Sequence, residues 1–130
     1  MRRLGTILLA FALALGCTGR RSEAVEYATA HAGDLVTSTR ALWSRYRALP
    51  TRDIPPSEYP ATVRALDPAL VVASKTGLML YIYSDYAHVS GVFIRHDPTF
   101  VPPSGIVPPD SDDWRYERLA PDVYWSSRPR

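Results

Sequence analysis

The sequence predicts an α+β domain in which one long N-terminal helix packs on an antiparallel sheet of four or five strands. Two patterns indicate this fold. Apolar residues recur at helical spacing between residues 23 and 49, and short runs rich in β-branched and aromatic residues follow between 70 and 126. Because these runs are joined by short turns, they form an antiparallel meander, and the helix is available to cover its more aliphatic face.

The predicted helix extends from about Glu23 to Leu49. Its apolar stripe consists of Ala28, Ala32, Leu35, Thr39, Leu42, Tyr46 and Leu49, widened by Val36 and Trp43. Ser22 is suited to cap the start, and Pro50 ends the helix. We expect Leu42 and Trp43 to lie at the contact between helix and sheet. The alternative is a partner-binding or coiled-coil helix, for which the pattern is short.

Turn residues define the remaining segments. Residues 51–60 contain three prolines and predict an extended connector, and residues 61–66 predict one helical turn. The predicted strands are 70–73, 78–83, 86–95, 114–119 and 123–126. Between the third and fourth strands, residues 97–113 are dominated by proline and aspartate, so we expect a long surface loop there.

The second strand predicts which face of the sheet the helix covers. Alternation places Leu78, Leu80 and Ile82 on one face, and Met79, Tyr81 and Tyr83 on the other. The first set is aliphatic and is therefore expected to face the helix. In the next strand, Gly91 predicts either a β-bulge or a close approach of another segment.

The N-terminus has the layout of a secretory signal peptide. Met1-Arg2-Arg3 precedes an uncharged apolar run from Leu4 to Leu15, and Gly16 stands directly before Cys17. The boundary Ala14-Leu15-Gly16-Cys17 resembles the lipobox of bacterial lipoproteins, a resemblance that covers residues 1–18 only. It implies that the cysteine thiol receives a diacylglycerol, that residues 1–16 are removed, and that the new N-terminus is acylated.

The same segment leaves two alternatives open. Ala12-Leu13-Ala14 is an A-x-A site for ordinary signal peptidase, which would secrete the protein without a lipid. A membrane-spanning anchor is the other, but the apolar run is shorter than the ~20 residues that a bilayer requires. By the same family resemblance, Thr18 in place of aspartate after the cysteine implies the outer membrane, facing the periplasm, rather than the inner membrane.

These features predict a simple domain organisation. Residues 1–16 form the signal peptide, residues 17–22 a lipidated N-terminus with a short tether, and residues 23–130 a single domain that contains the Pro-rich loop 97–113. Cys17 is the only cysteine, so the domain has no internal disulfide and depends on a packed core.

The charge balance disfavours nucleic acid as a partner. The full chain carries 15 basic and 13 acidic residues, but Arg2 and Arg3 belong to the signal peptide, which leaves 13 of each sign. A protein that neutralises phosphates needs a surplus of positive charge. We therefore expect no nucleic-acid partner.

Residues that could carry catalysis or a metal are few. His88, His96 and Asp97 could supply ligands or an acid/base pair, with Asp85 nearby in the chain, but no metal-ligand spacing accompanies them. The acidic run 110–113 lacks the glycine and the distal glutamate of a calcium loop. The sequence thus predicts no catalytic residue, no metal and no cofactor.

The strongest indication of a binding surface is aromatic. The predicted surface on the sheet face away from the helix consists of Tyr81, Tyr83, Tyr86, His88 and Arg95. Routine use of tyrosine on a half-exposed strand is the plainer interpretation. Three functions remain open: a non-enzymatic envelope lipoprotein that binds another protein or the cell wall, an immunity or inhibitor protein against a periplasmic toxic enzyme, and a small hydrolase.

Overall fold

The computed structural model describes residues 16–50, 52–84, 87–103 and 114–129, and within these it has an α+β fold. The helices are α1 (Gly16–Ala30), α2 (Ala32–Tyr46) and α3 (Ala61–Arg64), with a 3₁₀ turn at Pro56–Glu58. The strands are β1 (Leu70–Ala73), β2 (Gly77–Ser84), β3 (His88–Arg95), β4 (Arg115–Ala120) and β5 (Val123–Pro129). Residues 1–15, which belong to the predicted signal peptide 1–16, lie outside the described residues.

The five strands form one open antiparallel sheet in the order β1-β2-β3-β5-β4. The first three strands form the predicted meander. After β3, the next strand in the chain, β4, does not pair with β3 but lies at the edge of the sheet. The last strand, β5, lies between β3 and β4 and pairs with both. The prediction of an antiparallel sheet beside N-terminal helical structure is therefore confirmed, including all five strands.

The prediction of one long helix from Glu23 to Leu49 is wrong. Two helices of 15 residues each occupy this region, and His31 between them has φ −113° and ψ 22°, outside the helical range. Hydrogen bonds continue across the break, from His31 N to the Tyr27 carbonyl and from Leu35 N to the His31 carbonyl, both at 2.9 Å. Gly33 lies two residues after His31, and because glycine is a poor helix former, a break near it costs little.

The helix boundaries also differ from the predicted ones. The helix α1 begins at Gly16, so residues 17–22, predicted as a tether, are helical, and Ser22 lies inside the helix rather than at its cap. At the other end, α2 stops at Tyr46 instead of Leu49.

One face of the sheet packs on α1 and α2 to form the core. Leu78, Leu80 and Ile82 are buried there, as the alternation in β2 predicted. Trp43 is buried at the contact between α2 and the sheet, and Leu42 packs against the same core. Indole Nε1 of Trp43 donates a hydrogen bond of 2.8 Å to the Ser74 carbonyl, which fixes α2 to the β1–β2 turn.

A β-bulge in β2 changes the direction of one predicted site residue. Tyr81 pairs with Gly91 and Tyr83 pairs with Ser90, so Ile82 is the extra residue. A Cβ at Gly91 would collide with the Leu80 carbonyl, which confirms the predicted close approach at this glycine. Because the bulge shifts the alternation by one, Tyr83 projects to the helix side, and its predicted place beside Tyr81 is wrong.

Among the helices of the described segments, none combines the length and the apolar character that crossing a bilayer requires.

Candidate functional site

The structure divides the predicted binding residues among separate places. Tyr81 lies on the sheet face opposite the helices, which we call the outer face, whereas Tyr83 and His88 line a cleft of about 390 Å³ beside Arg21 on the helix side. Arg95 lies at the far end of β3, and Tyr86 is outside the described residues. The predicted five-residue surface is therefore not formed as a unit.

The outer face carries an aromatic cluster that extends well beyond Tyr81. Its members pack mostly edge to face, and they are Tyr81, Phe93, Phe100, Trp114, Tyr116 and Tyr124. The ring centroids of Phe93 and Tyr116 are 5.5 Å apart, and those of Tyr81 and Trp114 are 6.2 Å apart. Edge-to-face contacts of this kind favour one orientation for each ring, so the rings form an ordered surface on this face.

A cavity of about 250 Å³ opens within this face. Aromatic side chains and Met79 form most of its wall, and Ser126 contributes a hydroxyl group. Ser126 is only 1% exposed, and its Oγ has no hydrogen-bond partner. Burying a hydroxyl group without a partner costs about 1–3 kcal/mol, so this atom is the most distinctive polar feature of the cavity wall.

The charged side chains at the outward positions of the described strands are positive. Arg118 pairs in register with Tyr124 and therefore shares its side of the sheet, and the Arg128 guanidinium lies 4.9 Å from the centre of the Trp114 ring. The outward positions of the described strand residues carry no carboxylate. Burial raises the pKa of the Tyr116 phenol, so this side chain remains a neutral hydrogen-bond donor at physiological pH.

Arg95 has a structural role in place of the predicted binding role. Its Nε and Nη2 contact Asp122 Oδ1 at 2.8 and 2.6 Å, and its Nη1 donates a 2.9 Å hydrogen bond to the Phe100 carbonyl. These contacts tie the β4–β5 turn to the loop that follows β3. All three guanidinium nitrogens are thus engaged within the chain, through three of the five N–H groups, and these contacts hold the side chain in place.

His96 is half-buried beside Trp43 and Thr39 of α2. Its ring stacks on Trp43 with the centroids 5.3 Å apart, and its Nε2 lies 2.9 Å from Thr39 Oγ1. Thr39 has a single hydroxyl proton, which it donates to the Leu35 carbonyl at 2.6 Å, so its oxygen accepts the Nε2 proton of His96. This leaves His96 Nδ1 as a buried acceptor without a partner.

His96 has a packing role and is not arranged for proton transfer. Burial and the charge of Arg40 lower the pKa of His96 to about 4, although Asp122 opposes this, so the ring is neutral at pH 7. Thr39 is fully buried, and its proton is committed to a carbonyl group. The pair therefore lacks an accessible nucleophile.

Asp97 is a turn residue. Its Oδ1 accepts hydrogen bonds from the Thr99 hydroxyl and the Thr99 amide, at 2.7 and 2.9 Å, and these bonds lower the pKa of its carboxyl group. Within the described segments no three histidine, cysteine, aspartate or glutamate side chains are grouped as metal ligands would be.

Sequence reasoning missed the breadth of the outer face. Trp114, Tyr116 and Tyr124 entered the prediction only as members of the strands 114–119 and 123–126, and Phe93 only as a member of the strand 86–95. The alternation around Phe93, which lies between Val92 and Ile94, was the available signal, because both neighbours are buried in the core on the other side.

No protein-family model, curated protein or solved structure matches this chain.

Proposed function

We propose that the protein is a small envelope-anchored lipoprotein that acts as a non-enzymatic binding module and contacts a partner protein through its outer face. The observation that carries this proposal is the aromatic cluster around Phe93, flanked by Arg118 and Arg128. Tyrosine, tryptophan and arginine are the residue types that contribute most to protein–protein contacts. With arginines and no carboxylate at the described outward positions, the face is complementary to an acidic partner surface.

The proposed anchor is a lipid on Cys17, in the outer membrane and facing the periplasm. Cys17 lies in the first turn of α1, and Arg20 and Arg21 follow it within about one turn. A lipid at this position would bring both arginines close to the phosphate groups of the bilayer. Two or more acyl chains anchor a protein stably, whereas one chain binds reversibly.

Among the described residues, those on which the hydrolase alternative would depend at His96 and Asp97 provide no nucleophile. Thr39 beside His96 is buried and donates its proton to a carbonyl group, and Asp97 is occupied by Thr99. The immunity or inhibitor role uses the same kind of surface as the proposed function. The identity of a captured partner distinguishes it, because an inhibitor would capture a secreted toxic enzyme.

Charge reversal on the outer face tests the proposed contact. We expect Arg118→Glu with Arg128→Glu to abolish crosslinking to the partner in isolated membranes, and moderate salt to weaken the wild-type crosslink. Arg64→Glu, on α3 and away from the outer face, is the control that matches each single reversal, Arg118→Glu or Arg128→Glu, in charge and exposure. If the control variant loses the crosslinked species as readily as the double variant, the outer face is not the contact surface.

The anchor is tested separately. We expect mass spectrometry of the mature wild-type protein to find an acylated N-terminal Cys17, and Cys17→Ser to leave an uncleaved precursor or a soluble product. A mature protein that begins at Leu15 without a lipid would contradict the anchor while leaving the binding face untouched.

A further inference from the structure

We propose that the cavity in the outer face is a binding site for a small neutral aromatic molecule that carries one hydrogen-bonding group, as phenol does. This site goes beyond the proposed partner surface, because it needs neither the lipid nor a partner protein. The inference depends on how the cavity is built, on its size and on the position of one buried hydroxyl group.

Side chains from neighbouring strands form the wall of the cavity. Tyr81, Gly91 and Ser126 stand side by side across three strands. Tyr81 and Ser126 line the cavity, and Phe93 and Trp114 are also part of its wall.

The volume fits a single substituted ring. A dry apolar cavity of ~150 Å³ holds benzene, and sites for larger ligands begin at ~300 Å³. At about 250 Å³, this cavity lies between these values. Its ring-lined wall offers faces and edges against which an aromatic ligand packs well.

The buried hydroxyl selects the chemical class of the ligand. Ser126 Oγ is excluded from solvent and lacks a partner, whereas the hydroxyls of Ser74 and Thr76 in the same wall bond to each other or to the turn. A ligand hydroxyl or amino group that slightly displaces the surrounding side chains and reaches Ser126 would supply the missing hydrogen bond. The described side chains of the wall carry no charge, so the fitting ligand is neutral rather than a carboxylate or an ammonium ion.

Phenol and toluene form a matched pair of probes, since they have the same shape and differ in a hydroxyl against a methyl group. We expect both to bind weakly to the folded protein, with saturable shifts of the Trp114 indole resonance and with intermolecular NOEs from the phenol ring to Met79. These measurements need no variant, so they test the site even if a substitution affects folding.

The variant Ser126→Ala tests the role of the hydroxyl group. Toluene is the more hydrophobic probe, so the informative quantity is the ratio of the two affinities in each protein. We expect Ser126→Ala to shift this ratio toward toluene by about 3- to 10-fold, the range of one net hydrogen bond. Toluene binding should be unchanged or stronger, which also shows that the variant is folded.

Three outcomes would overturn the proposal. One is the absence of saturable shifts at Trp114 with either probe up to their solubility. Another is the absence of NOEs between the phenol ring and Met79, and a third is an unchanged affinity ratio in Ser126→Ala. Loss of partner crosslinking would not bear on this site, and loss of phenol binding would not bear on the partner surface.

Discussion

The ion pair between Arg95 and Asp122 provides a direct test of whether Arg95 is structural. It joins the β4–β5 turn to the loop after β3, with contacts of 2.6 and 2.8 Å, and the Arg95 guanidinium also binds the Phe100 carbonyl at 2.9 Å. If Arg95 were a partner-contact residue, its removal would reduce binding and leave stability unchanged. The geometry predicts a loss of stability.

The expected magnitude follows from the exposure of the pair. The two side chains are 25% and 35% exposed. Charge-assisted hydrogen bonds shielded from water contribute about 1.5–3 kcal/mol, and fully exposed ion pairs about 0–1 kcal/mol. We therefore expect a coupling free energy of about 1–2 kcal/mol between Arg95 and Asp122. Removing the guanidinium alone should cost slightly more, about 2–3 kcal/mol, because the Phe100 carbonyl also loses its donor.

A double-mutant cycle with urea unfolding, followed by tryptophan fluorescence, measures this coupling. Arg95→Met keeps the alkyl stem, and Asp122→Asn keeps a residue type that tolerates the positive φ of 65° at this turn. The control cycle is Arg45 with Glu58, a pair at 2.9 Å in which the arginine is 67% exposed, for which we expect less than about 1 kcal/mol. Additive effects of the Arg95 and Asp122 substitutions would refute the reasoning.

Three other predictions concern stability. The pKa of His96 is lowered from 6.5 to about 4, so as the pH falls the unfolded chain binds a proton before the folded protein does. The free energy of unfolding should therefore fall by about 1–2 kcal/mol between pH 6.5 and 4, after allowance for partial exposure of the ring. In urea titrations at several pH values, His96→Gln should flatten this dependence. Gly91→Ala should destabilise the fold by more than about 2 kcal/mol, because the added Cβ meets the Leu80 carbonyl. Gly33→Ala, with open space around the added Cβ, should stabilise the fold by about 0.5–1 kcal/mol. Equal melting temperatures of the two variants would contradict this prediction. Trp43→Phe should cost about 1–2 kcal/mol through the lost hydrogen bond to Ser74, and a wild-type melting temperature would show that this bond contributes nothing.

The strands were predictable from the sequence because their signals are local. Alternation in β2 placed Leu78 and Leu80 in the core, and turn residues separated the neighbouring strands. The break at His31 was not predictable in the same way. The apolar stripe continues through it, and the loss of helical geometry at one residue does not alter the spacing of Ala28, Ala32 and Leu35.

The candidate site was predicted less well, because it depends on register. A bulge adds one residue and thereby moves every later side chain of the strand to the opposite face of the sheet. Tyr83 therefore lies on the helix side, although simple alternation from Tyr81 places it on the outer face. Arg95 was misassigned for a different reason. Its partner Asp122 lies 27 positions away along the chain, and no local pattern indicates that contact.

Gly91 connects the register of the sheet to the proposed cavity. The β2 backbone lies so close to this residue that any side chain would collide with it, so packing alone requires glycine here. Gly91 pairs with Tyr81 on one side and with Ser126 on the other, and both of these residues line the cavity. The close pairing of β2 and β3 at this glycine therefore sets the positions of two side chains in the cavity wall before any ligand is present.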